Sequence, residues 1–226
     1  MTQHPIRADL VDTHEAVIAS LGRPGTFWTS AERVAIAATV RDAAGQPDRP
    51  PWYNPSDDRD PDEDGDRASL PAAAIDAIWR LTNHPSTVTG SWCASTIAGL
   101  DEPEHYVELL GIVAAVNAID RFARIVDRPL VELPVPSPGQ PTRQRVAGAA
   151  VTTHWVPTAR GEFNGMVLQS LTAVPAAESL VHEVVGTHYM PIAVMLSDWD
   201  YDRGTLNRRQ IELIAARTSF KNDCFY

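Results

Sequence analysis

An all-α protein is the expectation for these 226 residues, and three features predict it. Apolar residues recur at helical spacing in one segment after another. Cap residues at one end and Gly or Pro at the other bound those segments. The Pro- and Gly-rich stretches between them leave room for short extended pieces, around Val131 and Val151, with no sign of a sheet.

Composition narrows the class. Hydrophobic residues make up 44% of the chain, enough for a proper core. The net charge of −10, much of it in one loop, argues against non-specific nucleic-acid binding. No secretory segment opens the chain and no apolar run is long enough to span a bilayer. Cys93 and Cys224 are the only cysteines, too few for a disulfide scaffold. A cytoplasmic protein with reduced thiols and no membrane partner is expected.

The first helix covers residues 6–21 through Ile6, Leu10, Val17, Ile18 and Leu21, and Gly22 and Pro24 close it. The second follows Thr29, which forms a capping box with Glu32. Residues 45–69 break the pattern with prolines and a dense run of acids between Asp57 and Asp66. The spacing of Asp60, Asp62, Asp64 and Gly65 resembles the start of a calcium loop. Its twelfth position is Pro71 rather than Glu, so a solvated acidic loop is the better reading.

A third helix starts near Leu70, with Ser69 as N-cap and Pro71 in its first turn. A fourth covers about 86–99 and holds Trp92 and Cys93. No cationic group or partner thiol lies near Cys93 in sequence, which marks it as a small buried hydrophobe. The longest helix, about 103–126, is apolar on more than one side, as for a helix packed centrally or at a subunit contact. His105 reads as an exposed first-turn residue, and Asn117 and Asp120 as hydrogen-bonded structural polar groups.

Residues 127–161 carry six prolines or glycines between Pro129 and Pro141 and read as a linker between halves. Within it, His154-Trp155 can fold back on a domain surface. Helical patterns follow over 163–174, 176–189 and 191–196, then a polar turn from Asp198 to Gly204. His182 and His188 are six apart, off any shared helix face, and no His/Asp/Glu spacing suggests a metal. Both read as structural, with His188 in reserve as a proton carrier.

The last helix begins with Asn207 and Gln210 as a capping box. Ile211, Ile214, Ala215 and Thr218 form the face expected to bury. Set against the second helix at a constant offset of 178 (207 − 29), Thr29 falls on Asn207, Glu32 on Gln210, and Ile36-Ala37-Ala38 on Ile214-Ala215-Ala216. This pattern suggests an internal duplication. Val34 then stands where Glu212 stands, and Gln46 where Cys224 stands, so the first copy lacks the ionisable pair. By themselves, Glu212 reads as a surface charge beside Arg208 or Arg209, and Cys224 as a helix-end cysteine.

The segment 210–226, Gln-Ile-Glu-Leu-Ile-Ala-Ala-Arg-Thr-Ser-Phe-Lys-Asn-Asp-Cys-Phe-Tyr, resembles the core motif of the alkylhydroperoxidase D-like (carboxymuconolactone decarboxylase-like) family. In the peroxidase branch a Glu is followed by eleven residues, then C-x-x-C, then three residues and a His. Glu212 and Cys224 match the Glu and the first cysteine. The second cysteine and the His would follow Tyr226. Residues 106–123 also resemble the helix that follows the cysteine motif in that family.

The resemblance implies an alkylhydroperoxidase D-like helical bundle with two tandem repeats. The first, 1–126, is degenerate; 127–161 links it to 162–226, the start of a second repeat cut inside its redox motif. It implies thiol-dependent reduction of peroxides, organic hydroperoxides above all, with Cys224 as half of the redox couple and Glu212 as its proton acceptor. The partners implied are a peroxide, a thiol reductant and further copies of the chain, and no cofactor. With one cysteine, oxidation would stop at a sulfenic acid or a mixed disulfide, so this chain is expected to be a poor peroxidase. The alternatives are a non-catalytic helical oligomerisation or binding protein, a lactone decarboxylase-like enzyme, and a small-molecule pocket between the halves.

Overall fold

The computed structural model describes residues 6–48, 50, 70–159, 166–195 and 197–221. The acidic loop over 51–69, the calcium-like spacing within it, the expected Ser69 cap and Cys224 lie outside these residues. The described chain is mostly helical. Its helices are α1 (Ala8–Ser20), α2 (Ser30–Gly45), α3 (Ala72–Asn83), α4 (Gly90–Ala98), α5 (Pro103–Ile125), α6 (Met166–Gln169), α7 (Pro175–His188), α8 (Ile192–Met195) and α9 (Arg208–Lys221). The described sheet is one hairpin, β1 (Asp202–Arg203) antiparallel to β2 (Leu206–Asn207). None of the described helices is long and apolar enough to cross a membrane.

Local signals set several boundaries. At α2 the Thr29 side chain accepts from Glu32 N, and the Glu32 carboxylate accepts from Thr29 N at 2.8 Å. The same reciprocal pair starts α9: Asn207 N donates to Gln210 Oε1 at 3.0 Å, and Gln210 N to Asn207 Oδ1 at 3.1 Å. Each box satisfies N–H groups that a helix start leaves unpaired. Gly204 (φ +59°) takes the left-handed conformation that the β1–β2 turn needs. Of the segment expected as one helix over 163–174, the described residues from Met166 hold the short α6, followed by turns.

α5 is the axis. α7, α2, α3, α4 and α1 all pack against it, and its Val107, Leu109, Ile112, Val113, Val116 and Ile119 are buried. A Cβ on Gly111 would come 2.8 Å from the Ala177 Cβ, so the missing side chain lets α7 approach closely. One cluster of buried residues runs from Val17 in α1 to Val184 in α7. A His-Glu-x-Val sequence occurs in both α1 (His14–Val17) and α7 (His182–Val185), and these two helices pack together.

Buried charges are paired around the same axis. Asp120 accepts both Nε (2.8 Å) and Nη2 (3.0 Å) of Arg41, whose Nη2 also donates to Val131 O. Asn117 donates to Thr82 Oγ1 at 3.1 Å, so both polar residues serve the structure, as their sequence context suggests. Glu108 accepts from Phe27 N at 2.6 Å and faces Arg33 Nε at 3.3 Å. Burial pushes the Glu108 carboxyl up, opposed by the Phe27 N–H and the Arg33 guanidinium.

His105 corrects its sequence reading. It is buried rather than exposed, at 4%. Its ring meets Trp28 edge-on, its carbonyl accepts from Trp28 Nε1 at 2.9 Å, and Arg143 Nη1 lies 3.2 Å from its Nε2. Arg143 belongs to the Pro-rich segment 127–159, which is strapped along the α1–α2 connection. Ser137 N donates to Gly22 O at 2.8 Å and Arg143 N to Thr26 O at 2.8 Å.

Candidate functional site

Glu212 lies in the second turn of α9 and is held from two sides. The Tyr189 hydroxyl, at the end of α7, donates to Glu212 Oε2 at 2.5 Å. Arg208, one turn earlier on α9, donates from Nε to Oε1 at 2.7 Å. The spacing of four puts Arg208 and Glu212 on one helix face. The arginine is itself fixed, its side chain being 7% exposed. Its Nη atoms donate to Met195 O (2.8 Å) and Asp198 O (3.0 Å), carbonyls at and just past the end of α8, and its guanidinium lies 5.3 Å from the Trp199 ring centre. A cation that caps one helix thus orients a carboxylate on another.

The electrostatics follow from those partners. The Tyr189 hydrogen bond, with help from Arg208, holds the Glu212 carboxyl below the usual carboxylate range. Tyr189 moves the other way: partial burial and the neighbouring carboxylate push it up to about 12. At neutral pH the pair is therefore a carboxylate and a neutral phenol. It can receive a proton briefly or stabilise a nearby positive charge. A carboxyl that ionises this readily is a weaker base than one tuned near neutrality.

Glu212 is thus more than a free surface charge, although its side chain remains 43% exposed. The face expected to bury on α9 does so only at Ile211; Ile214 is 56% exposed, Ala215 is half-buried and Thr218 is exposed. Among the described elements α9 packs chiefly on β2. No described helix covers the rest of that face.

The histidines take different places. His188 Nε2 lies 2.7 Å from His14 Nε2, and both rings meet the Phe122 edge. Burial, then the His14 ring and the Arg7 and Arg203 guanidiniums, lower His188 to about 4. It is neutral at pH 7 and already engaged, which makes it a poor proton carrier. His182 lines a cleft of about 600 Å³ beside α7 together with Glu183 and Arg203. Among the described residues no three His, Cys, Asp or Glu are grouped to hold a metal ion.

Cys93 is 1% exposed and hydrogen-bonds with Tyr106; burial pushes its thiol up. It stays protonated, in keeping with its reading as a buried hydrophobe. It also borders a cavity of about 440 Å³ between α4, α5 and the 153–156 segment.

No known family, curated protein or solved structure matches the chain. The likeness to the alkylhydroperoxidase D-like motif therefore rests on residues 210–226 and 106–123 themselves.

The sequence singles out Glu212 and leaves its neighbour open between Arg208 and Arg209; the structure pairs it with Arg208 and adds Tyr189, which the sequence does not signal. The phenol reaches α9 only after the chain has passed through α8 and the hairpin, and no local pattern marks such a contact. The His14–His188 pair is equally long-range.

Proposed function

We propose that this chain carries the thiol centre of an alkylhydroperoxidase D-like protein of two helical repeats, reducing organic hydroperoxides through Cys224. The observation that supports this most is the fixed Tyr189–Glu212–Arg208 constellation. In the resemblance, Glu212 is the residue that handles the thiol proton. Here it is an oriented, ionised carboxylate rather than a mobile side chain.

The step balances as follows. The Cys224 thiol loses its proton towards Glu212, and the thiolate attacks the terminal oxygen of ROOH. An S–O bond forms as the O–O bond breaks, and the departing alkoxide takes up the proton as ROH. Sulfur is oxidised by two electrons to the sulfenic acid, which an external thiol then captures as a mixed disulfide, with loss of water.

Cumene hydroperoxide followed by dimedone trapping and mass spectrometry tests the assignment. The expected result is one dimedone adduct on Cys224, absent from Cys224→Ser. Modification no faster than that of a free cysteine peptide would refute it.

A second reading has its own observation. Leu213, Ile214 and Phe220 leave α9 with an apolar exposed face, as a helix used for self-association would have. Homo-oligomerisation through α9 predicts that Phe220→Asp lowers the mass in light scattering. An unchanged mass would refute it.

A further inference from the structure

We infer that the cavity between α4, α5 and the 150–158 loop is a binding site for a small, uncharged, largely apolar molecule carrying one hydrogen-bonding oxygen. This site is separate from Glu212 and independent of the thiol reading.

The loop is built to cover it. Ala150 and Thr158 pair across its base through two backbone hydrogen bonds of 3.0 Å each. Between those ends the chain carries Thr153, His154, Trp155 and Val156 over the cavity. Val156 is 6% exposed and forms part of the main core, so the loop is anchored there as well as at its base. Trp155 stays 55% exposed, with its indole against the start of α4. A Cβ on Gly90 would come 3.1 Å from the indole Nε1, so that position keeps α4 bare beneath the ring. An exposed indole held at a cavity mouth by a closed loop is the arrangement of a lid wall.

The lining chooses the chemistry. Leu81, Val88, Leu110 and Val156 supply apolar walls, and the volume of about 440 Å³ falls within the ~300–1,000 Å³ usual for small-molecule sites. It is too small for a folded partner segment. Among the described residues, Lys, Arg, Asp and Glu are absent from the lining, so a charged ligand would lose its hydration without a counter-ion. The polar groups of the lining are Thr153 and His154 on the loop, which bond each other, and the Cys93 thiol and Tyr106 hydroxyl on the helices. The Tyr106 hydroxyl donates to the Cys93 sulfur, so the phenol oxygen keeps acceptor capacity for a ligand O–H. Both groups stay protonated because burial raises them.

The test uses the full chain and 1-aminoanthracene, an apolar dye that brightens in dry pockets. Saturable one-to-one binding is expected. Decanol should displace the dye at least ~10-fold more effectively than decanoate, since the anion finds no counter-charge. Trp155→Ala removes the lid wall at an exposed position and should weaken binding about tenfold. Leu110→Trp, filling the cavity from α5, should do the same. Val135→Ala, which trims an exposed side chain of the Pro-rich segment, should leave binding unchanged. The proposal is overturned by no saturable binding, by equal displacement by decanoate, by binding unaffected in Trp155→Ala, or by loss of binding in Val135→Ala.

Discussion

Acid should loosen the α1–α7 contact before it unfolds the rest of the core. The His14 and His188 Nε2 atoms sit 2.7 Å apart, so one ring must donate and the other accept. Protonating both rings would set two cations against each other. The other groups facing the pair add to this. Arg7 and Arg203 both donate to Thr187 O beside His188, while Asp120 acts weakly in the opposite sense on His14. His188 is lowered to about 4, against about 6.5 for an unfolded histidine. The folded value lies below the unfolded one, so the unfolded chain takes up the proton first as pH falls. The contribution is therefore fully present above about pH 6.5 and is lost on the way down to about pH 4. The gap corresponds to about 3.4 kcal/mol at ~1.36 kcal/mol per unit. His188 is only half-buried, and solvent screening reduces this to about 1–2 kcal/mol. Urea unfolding of wild type and His188→Asn from about pH 8 to pH 4.5 reads the effect directly. The variant should be less stable by about 1 kcal/mol at the alkaline end, from the lost hydrogen bond. That difference should shrink or reverse by about pH 5. A constant difference across the range, or an NMR titration of His188 at or above 6.5, would refute the reasoning.

Other substitutions probe the frame around the site. Glu108→Ala leaves the Arg33 charge buried and the Phe27 N–H unpaired, and should destabilise by about 3–5 kcal/mol. At ~2–4 °C per kcal/mol, calorimetry should show Tm falling by about 6–20 °C; a drop under about 2 °C would contradict it. Thr29→Ala removes half of the α2 capping box and should cost about 1 kcal/mol in chemical denaturation. Tyr189→Phe removes the first cause of the low Glu212 value, so carbon-detected NMR should find that carboxyl titrating closer to an ordinary glutamate. No movement would mean that Arg208 alone sets it.

Much of the fold was legible because it is local. Both capping boxes and the long α5 depend on residues three or four apart, where backbone geometry fixes what meets what. The misreadings are long-range. His105 looked like an exposed first-turn residue, yet Trp28 and Arg143 bury it, 77 and 38 residues away in the chain. The composition of the Pro- and Gly-rich stretch resists helix but carries no sign of the bonds its backbone makes to Gly22 and Thr26. Ile214 had the right helical spacing to bury, but spacing cannot say whether another element arrives to cover it. The candidate site divides the same way: Glu212 carried a sequence signal, and Tyr189 carried none.

The central claim is that Glu212 serves the chemistry of Cys224. The most direct measurement is the second-order rate of Cys224 oxidation by cumene hydroperoxide in wild type and Glu212→Gln, at neutral pH and with the fold checked by circular dichroism. A positioned proton acceptor is worth ~10²–10⁴-fold in rate, and its weak basicity places this one at the lower end. The account predicts a loss of at least about tenfold in Glu212→Gln, with Tyr189→Phe altering the pH profile. Equal rates in wild type and Glu212→Gln would contradict it.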